Sequence, residues 1–358
     1  MYQENTGELV RNKKNIVWIN TARAIAMIMI YWIHCEAYWG FHLFRFSAFF
    51  APLYVSVFFF ISGYLFFGKH LSDDTSSLTY VDYLQVIRKQ VKDILFKLVI
   101  PSILFSIIEF MPASLLQQRT ISVGSLLIKT LGGGTYWFTS ALVVAELLIC
   151  VLLLTRVKSI WFYFVSCMFV TLAGMYLSYT EFTIFAFSDV FPWMYKQGML
   201  SVCFFALGGV YRKKEQIIRK ATDNNVVLLI MSVCYICLIS LNTGVFSTSI
   251  SNLNLNIAGI LLSTWGIVVF ISICQRISGK KIIQMIGKNT LGLYFVCGAV
   301  PKVLCKILEI ILPQKTFVGW AVLLLGSFSL AVAIVYTIDR FIPCAFDLRV
   351  LKRKTRIQ

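Results

Sequence analysis

Residues 16–39 read IVWINTARAIAMIMIYWIHCEAYW, an apolar run that is long enough to cross a lipid bilayer as one helix. A spanning helix needs roughly 20 predominantly apolar residues. Comparable runs follow along the chain, at 49–68, 94–112, 136–155, 160–179, 197–211, 226–241, 257–275, 290–312 and 317–338. The pattern predicts an all-α polytopic membrane protein with about ten transmembrane helices.

The overall composition also indicates lipid as the solvent. Hydrophobic residue types make up 58% of the 358 residues and charged types only 14%, whereas a soluble domain carries about a quarter charged residues. Phenylalanine alone occurs 30 times. A soluble core of this size would not bury so much apolar surface, so the composition excludes a soluble globular protein.

The net charge of +17 is explained by where the basic residues lie. Lysine and arginine fall mainly in alternate segments between the apolar runs, and the positive-inside rule assigns these segments to the cytoplasm. The basic residues in the opposite segments are Arg45, Arg119, Lys129, Lys196 and Lys315. The distribution predicts that both termini are cytoplasmic, and it accounts for the charge without a nucleic-acid partner.

We expect three regions along the chain. Residues 1–15 form a cytoplasmic N-terminal segment, 16–341 a single transmembrane domain and 342–358 a basic cytoplasmic tail. The aromatic stretch 181–195 contains Asp189 and Pro192. It is therefore predicted to lie at the outer interface or to re-enter the membrane, and not to span it.

The first apolar run carries two ionisable residues, Arg23 and His34. They are eleven positions apart, which places them within about 20° of each other around a helix and roughly 16 Å apart along it. An arginine or aspartate at the centre of a spanning helix costs roughly 2.5–3.5 kcal/mol, so such residues are functional candidates. Two ordinary explanations stay open. Arg23 can extend to the inner surface, and His34 can be a satisfied packing residue.

A carboxylate that orients His34 would have to come from another helix. Glu36 is two positions away and lies about 200° round the helix, whereas Tyr38, at i+4, shares the histidine's face. Glu109 and Glu146, in the third and fourth runs, are both candidates, and the sequence does not choose between them.

Other residues in the apolar runs allow two interpretations each. Lys306 and Glu309 are spaced i, i+3 and are expected to pair, either as a structural contact or at an outer cavity. Ser62 precedes a glycine, which favours close helix packing over a role as nucleophile. Trp137 begins the fourth run on the outer side, where it could stack on a sugar or belong to an interfacial aromatic belt.

The arrangement Arg-x10-His in the first run resembles the signature of the acyltransferase-3 family of bacterial membrane O-acyltransferases. Later segments are similar to further blocks of that family in the same order. They are FFFISGYLFF around Ser62 and Gly63, RKQVKDILFKLVIP from Arg88 to Pro101, TYWFTSALVVAELL with Trp137 and Phe138, FFALGGVYRKK, and IGKNTLGLYF from Ile286. The resemblance covers essentially the whole chain, from about Ile16 to Asp339.

The chain departs from the family pattern at one place. Family members often carry a histidine shortly after the tyrosine of the ninth-run block. Here Tyr294 is followed by Phe295, Val296, Cys297 and Gly298. We therefore expect that this position takes no part in the chemistry of this protein.

The resemblance implies a stand-alone enzyme of the bacterial cytoplasmic membrane. It implies cytoplasmic acyl-coenzyme A, most commonly acetyl-CoA, as donor, and a hydroxyl of a cell-surface or lipid-linked glycan as acceptor. The partners would thus be the donor, the glycan and the lipid bilayer. A catalytic metal is not expected, because no metal-ligand spacing is present.

Arg23 and His34 are the expected catalytic residues. Coenzyme A is polyanionic at its nucleotide end, so Arg23 and the basic residues Arg88, Lys89 and Lys92 are expected to bind the donor. His34 would either remove the proton of the acceptor hydroxyl or take the acyl group itself, and we favour the role of base. The residues expected to orient His34 or to face the acceptor are Glu109, Glu146, Trp137 and Tyr38.

A transporter or flippase for a lipid-linked glycan is the main alternative. Its pathway would also place polar residues inside the membrane. The chain shows no inverted repeat of the kind that many transporters carry, and this favours the enzyme.

Overall fold

The computed structural model describes residues 17–41, 46–71, 80–116, 132–180, 193–241, 244–277, 279–312, 314–342 and 344–348, and the single positions 124, 127 and 130. The predicted N-terminal segment 1–15, the stretch 181–192 and residues 349–358 of the predicted tail lie outside this described part. Within it the chain is almost entirely helical, which confirms the all-α class.

The helices are α1 (Val17–Trp39), α2 (Phe46–Phe50), α3 (Ser56–His70), α4 (Tyr80–Ile94), α5 (Ile100–Leu116), α6 (Trp137–Leu153), α7 (Ile160–Tyr179), α8 (Tyr195–Thr222), α9 (Asn225–Ser240), α10 (Ile257–Ile277), α11 (Lys281–Lys288), α12 (Thr290–Val296), α13 (Ala299–Ile311) and α14 (Phe317–Phe341). A π-helical segment, Leu95–Val99, joins α4 to α5. Two short strands, β1 (Thr248–Ser249) and β2 (Asn254–Leu255), pair in antiparallel fashion.

Every predicted apolar run contains a helix. By length and apolarity, α7, α10 and α14 are each able to cross a membrane. Two bent pairs, α8 with α9 at 103° and α12 with α13 at 45°, raise this number to at most five in the described part, if each pair is one broken span. The figure of about ten spans and the cytoplasmic placement of both termini remain predictions.

The ninth apolar run, 290–312, is interrupted between α12 and α13. Pro301 explains the interruption, because a proline lacks the N–H that would bond the carbonyl four positions earlier, and its ring clashes with that carbonyl. The carbonyl in question belongs to Cys297, which caps the end of α12. The break therefore places Cys297 outside regular helix.

The chain divides into two compact units. Unit 1 comprises Met1–Phe58, Gln216–Asn242 and Leu262–Val335, and unit 2 comprises Phe59–Glu215, Thr243–Leu261 and Tyr336–Gln358. Unit 1 holds α1 and α11 to α13, and unit 2 holds α4 to α7 and both strands.

In unit 1, α11 packs against the first turns of α1. Gly287 lies directly on the backbone of Asn20, where a larger residue would not fit. The Nε2 atom of Gln284 donates to the carbonyl of Val17 at 2.9 Å and to Oγ1 of Thr21 at 3.0 Å, while Asn20 donates back to Gln284 at 3.1 Å. These bonds fix α11 beside the start of α1.

The second half of α1 is bonded to the later helices of unit 1. The hydroxyl of Tyr31 donates to the carbonyl of Leu293 in α12 at 3.1 Å. The indole of Trp39 donates to the carbonyl of Thr316 at 3.0 Å and packs against Gly319 of α14. Since α1 contacts several helices of unit 1, its side chains define the interior of this unit.

In unit 2, α3 and α8 cross at two glycines. A side chain at Gly63 would meet the carbonyl of Phe205, and one at Gly208 would meet the carbonyl of Phe60. Small residues of this kind allow helix backbones in a membrane to approach closely. The Ser62–Gly63 pair of the sequence therefore marks a helix crossing.

We expect Gly208→Ala to destabilise the protein by about 1–3 kcal/mol, because the new methyl group overpacks against backbone that cannot rotate away. The midpoint of thermal unfolding in detergent measures this. Gly326→Ala is the matched control, since Gly326 is also helical but faces open space. Equal midpoints for the two variants would show that the crossing is not tight.

Candidate functional site

His34 is contacted by one residue of its own helix and one from the end of α12. Its ring stacks on the ring of Tyr38, with centroids 5.8 Å apart and planes at 17°. Its Nε2 atom lies 3.8 Å from the sulfur of Cys297. The contact with Tyr38 is the one that i, i+4 spacing predicts, whereas Cys297 is 263 positions away in the chain.

Cys297 is buried, with 5% of its surface exposed. The sequence indicated no chemical role for the residues after Tyr294, Cys297 among them, because they lack the histidine that the family resemblance led us to expect there. The structure shows that the position nevertheless faces His34. No local sequence pattern connected Cys297 with α1.

A charged cluster lies beyond Tyr38 in the same unit. Lys306 and Glu309 form the ion pair that their spacing predicts, at 2.9 Å, and Lys315 approaches the same carboxylate at 3.7 Å. The sulfur of Cys305 donates to the carbonyl of Tyr38 at 3.4 Å. Lys306 is largely exposed, so the pair is held at the surface of the described structure.

Arg23 is half-buried on α1. Its guanidinium makes no hydrogen bond or ion pair with any other residue that the structure describes. Helix α11 lies beside the start of α1. It contains the exposed cations Lys281 and Lys288, and the exposed Lys280 occupies its N-cap position. Sequence reasoning missed these lysines as neighbours of α1 because the pairing of α11 with α1 is long-range.

The predicted donor-binding residues of unit 2 lie on α4. Arg88, Lys89 and Lys92 are exposed, whereas Tyr83 and Ile87 are buried. The hydroxyl of Tyr83 donates to the carbonyl of Leu153 at the end of α6, at 3.0 Å. The helix is thus amphipathic, and its three cations are available to an anionic ligand.

Glu146 belongs to a polar cluster at the ends of α3 and α4. One of its oxygens accepts a hydrogen bond from Nε2 of Gln90 at 3.4 Å. The Oε1 atom of Gln90 accepts a hydrogen bond from Lys69 at 2.8 Å and lies 3.4 Å from Nε2 of His70. The role of Glu146 in orienting His34 stays a prediction.

Glu109 is bonded to one of the residues that line a small pocket in unit 2. Its Oε2 atom accepts a hydrogen bond from the hydroxyl of Tyr136 at 2.9 Å. The pocket wall is rich in hydroxyls and aromatic rings, from Ser102, Ser106, Tyr136, Thr139, Ser140 and Trp193. Trp137 is not part of this wall in the described structure.

No cluster of three or more histidine, cysteine and carboxylate side chains that could hold a metal ion occurs among the described residues. The described cysteines are free thiols.

A family model described as an acyltransferase domain matches residues 16–336, which is nearly the entire chain. The matched range includes α1 with Arg23 and His34, and it extends through α13 into α14. A comparison with curated proteins and one with solved structures gave no match.

We expect His70 to make the fold sensitive to acid. It lies two residues past the predicted second span and is 2% exposed. Burial, and secondly the charge of Lys69, lower the pKa of His70 to about 4. The unfolded chain therefore binds a proton below about pH 6.5 while the native state does not, so the free energy of unfolding falls between about pH 6.5 and about pH 4, by up to about 3 kcal/mol.

Thermal unfolding midpoints in detergent at about pH 7.5 and about pH 5 measure this effect. His70→Gln should lose most of the difference between the two midpoints, since glutamine does not titrate. A difference of the same size in the variant would assign the acid sensitivity to other groups.

Proposed function

Since this chain belongs to the acyltransferase-3 family of membrane acyltransferases, we propose that it moves an acyl group from cytoplasmic acyl-coenzyme A to a hydroxyl of a cell-surface or lipid-linked glycan. Acetyl is the acyl group that we propose first, and the bacterial cytoplasmic membrane is the proposed location. The observation that carries the proposal is the position of His34. It is the half-buried imidazole of α1, held by a stacked tyrosine within the matched region.

We assign donor binding to the basic residues that the sequence predicted for it. Arg23 has no carboxylate partner among the described residues, so its charge is available to an incoming phosphate. Arg88, Lys89 and Lys92 add three exposed charges on α4. The distribution of basic residues predicts that these segments face the cytoplasm, where acyl-coenzyme A is found.

In the proposed reaction, His34 acts as general base. Its ring nitrogen removes the proton of the acceptor hydroxyl as the oxygen attacks the thioester carbonyl. The carbon–sulfur bond of that thioester then breaks, and the departing thiolate takes the proton from the imidazolium. Stacking on Tyr38 restrains the ring in one orientation, which reduces the entropy that the reaction must lose.

The pocket beside Glu109 is the proposed acceptor subsite. Its hydroxyls can exchange hydrogen bonds with sugar hydroxyls, and Tyr136 and Trp193 present ring surface. Glu109 accepts a hydrogen bond from Tyr136 and so helps to hold that side chain of the pocket wall in place. For Trp137 and Glu146 we propose no more than the sequence predicted, which is that they orient His34 or face the acceptor.

The interruption between α12 and α13 is also a feature of secondary transporters, whose substrate sites use discontinuous helices. It is the observation that favours the alternative, a transporter of a lipid-linked glycan. Proteoliposomes that contain labelled acetyl-coenzyme A and a glycan acceptor separate the two functions. Transfer of label to glycan supports the enzyme, and movement of unmodified glycan without transfer supports the transporter.

We predict that His34→Ala abolishes acyl transfer while the protein still inserts and accumulates, because the variant has no base for the acceptor proton. Glu36→Gln is the matched control. It lies on the same helix, and glutamine keeps an oxygen for the indole of Trp32, which donates to Glu36 at 2.8 Å. Retained transfer in His34→Ala would remove His34 from the mechanism.

We predict that Arg23→Gln raises the KM for acyl-coenzyme A about tenfold or more, since a charged hydrogen bond to phosphate contributes about 1.5–3 kcal/mol. The kcat at saturating donor should change less. Arg23→Lys should recover part of the affinity, because it restores the charge without the planar guanidinium. An unaltered KM in Arg23→Gln would contradict phosphate binding by this residue.

A further inference from the structure

We propose that Cys297 is a second catalytic residue, whose thiol carries the acyl group between donor and acceptor. This inference rests on the proposed acyltransferase function. It begins from the contact of 3.8 Å between the sulfur of Cys297 and Nε2 of His34. A thiol beside an imidazole is the arrangement that activates a cysteine nucleophile.

The distance suits a sulfur atom. Contacts that involve sulfur are longer than those between nitrogen and oxygen, and catalytic hydrogen bonds without substrate are often long and tighten when substrate binds. Cys297 is 5% exposed and His34 is half-buried. An acylated thiol at this position would therefore be shielded from water, which would otherwise hydrolyse it.

The backbone at Cys297 is arranged to present the residue. Pro301 interrupts the helix there, so that Cys297 precedes the N-terminal cap of α13, Gly298. The residue thus lies between the C-terminus of α12 and the N-terminus of α13, whose dipoles have opposite effects on a thiolate, so the imidazole is the group that activates it. The bond of 3.1 Å from Tyr31 to the carbonyl of Leu293 holds α12 against α1, and so keeps the thiol beside the imidazole.

The other cysteines of unit 1 that contact polar groups have different partners. The sulfur of Cys35 lies 3.5 Å from the hydroxyl of Ser327. The sulfur of Cys305 bonds the carbonyl of Tyr38. Neither partner can accept and return a proton as an imidazole does. Within the described part of the chain, the contact with a histidine thus distinguishes Cys297 from these two.

The chemistry has two steps and needs no further reactant. In the first, His34 takes the proton of the Cys297 thiol, and the thiolate attacks the carbonyl carbon of acyl-coenzyme A. The bond from that carbon to the sulfur of coenzyme A breaks, and the coenzyme A thiolate leaves with the proton from His34. One thioester is exchanged for another, so the bond energies nearly balance.

In the second step, His34 takes the proton of the acceptor hydroxyl, and the oxygen attacks the carbonyl of the Cys297 thioester. The carbon–sulfur bond breaks, an ester forms, and the cysteine sulfur recovers its proton from His34. Coenzyme A has left before the acceptor reacts. The scheme therefore requires only one of the two large substrates to be engaged at His34 at a time, and it gives ping-pong kinetics.

The test uses the full-length protein in proteoliposomes with acetyl-coenzyme A that is labelled in the acetyl group. Without acceptor, the reaction is quenched in acid after a single turnover, and the peptide that contains residue 297 is analysed by mass spectrometry. Neutral hydroxylamine, which cleaves thioesters, should release the label. With a glycan acceptor added, the label should move from the protein to the glycan.

Cys297→Ala should lose the protein-bound label and at least about a hundredfold of the transfer rate, in the range of a positioned catalytic group. Cys297→Ser, which is nearly isosteric, is the control for a loss of activity that is caused by misfolding. We expect it to insert normally and to hold any acyl group as an ester that resists neutral hydroxylamine. Cys305→Ser is the matched control, since Cys305 is 3% exposed, and it should keep both label and transfer.

Transfer by Cys297→Ala within about threefold of the unmodified protein would overturn the carrier role, because a positioned catalytic group contributes far more. Transfer by the unmodified protein with no label on Cys297 at any time would also overturn it, and would leave direct attack on the donor. An acylated Cys297 that passes its group to no glycan would keep this inference and refute the proposed acceptor. An absence of both label and transfer would refute the proposed function and this inference together.

Discussion

A polypeptide in a bilayer must satisfy its backbone hydrogen bonds within its own helices, because lipid offers no partners. Within the predicted ninth span, regular helix is interrupted at Cys297 and Gly298. Irregular backbone at membrane depth is tolerated where neighbouring protein covers it. Here α1 supplies that cover with Tyr31 and His34. The candidate site is thus the place where the constraint is relaxed.

The apolar periodicity predicted the helices well. The run 160–179 coincides with α7 at both ends, because transfer from water to lipid decides where such a helix begins and ends. The predicted sixth run, 197–211, is shorter than the helix that contains it, because α8 continues to Thr222 through a basic stretch. Pro301 was visible inside the ninth run, and its effect on the preceding carbonyl follows from elementary sterics. The interruption was therefore predictable.

The site was only half predictable. The pairing of His34 with Tyr38 follows from helix geometry, because both lie on one face of one helix. Contacts between helices do not follow, because periodicity fixes which face of a helix is polar but not which helix it meets. The partners of α1 at Cys297 and Gln284 come from beyond residue 280. Trp193, which lines the pocket beside Glu109, was missed for the same reason.

Arg23 has no carboxylate counter-ion among the residues that the structure describes. An anionic ligand that binds there displaces no internal partner, so the site would discriminate poorly between phosphates of similar shape. In the proposed function, spent coenzyme A carries the same phosphates as the acylated donor and would compete for the same guanidinium. The rate of acylation would then follow the cytoplasmic ratio of acylated to free coenzyme A, and the enzyme would report the carbon supply of the cell at its surface.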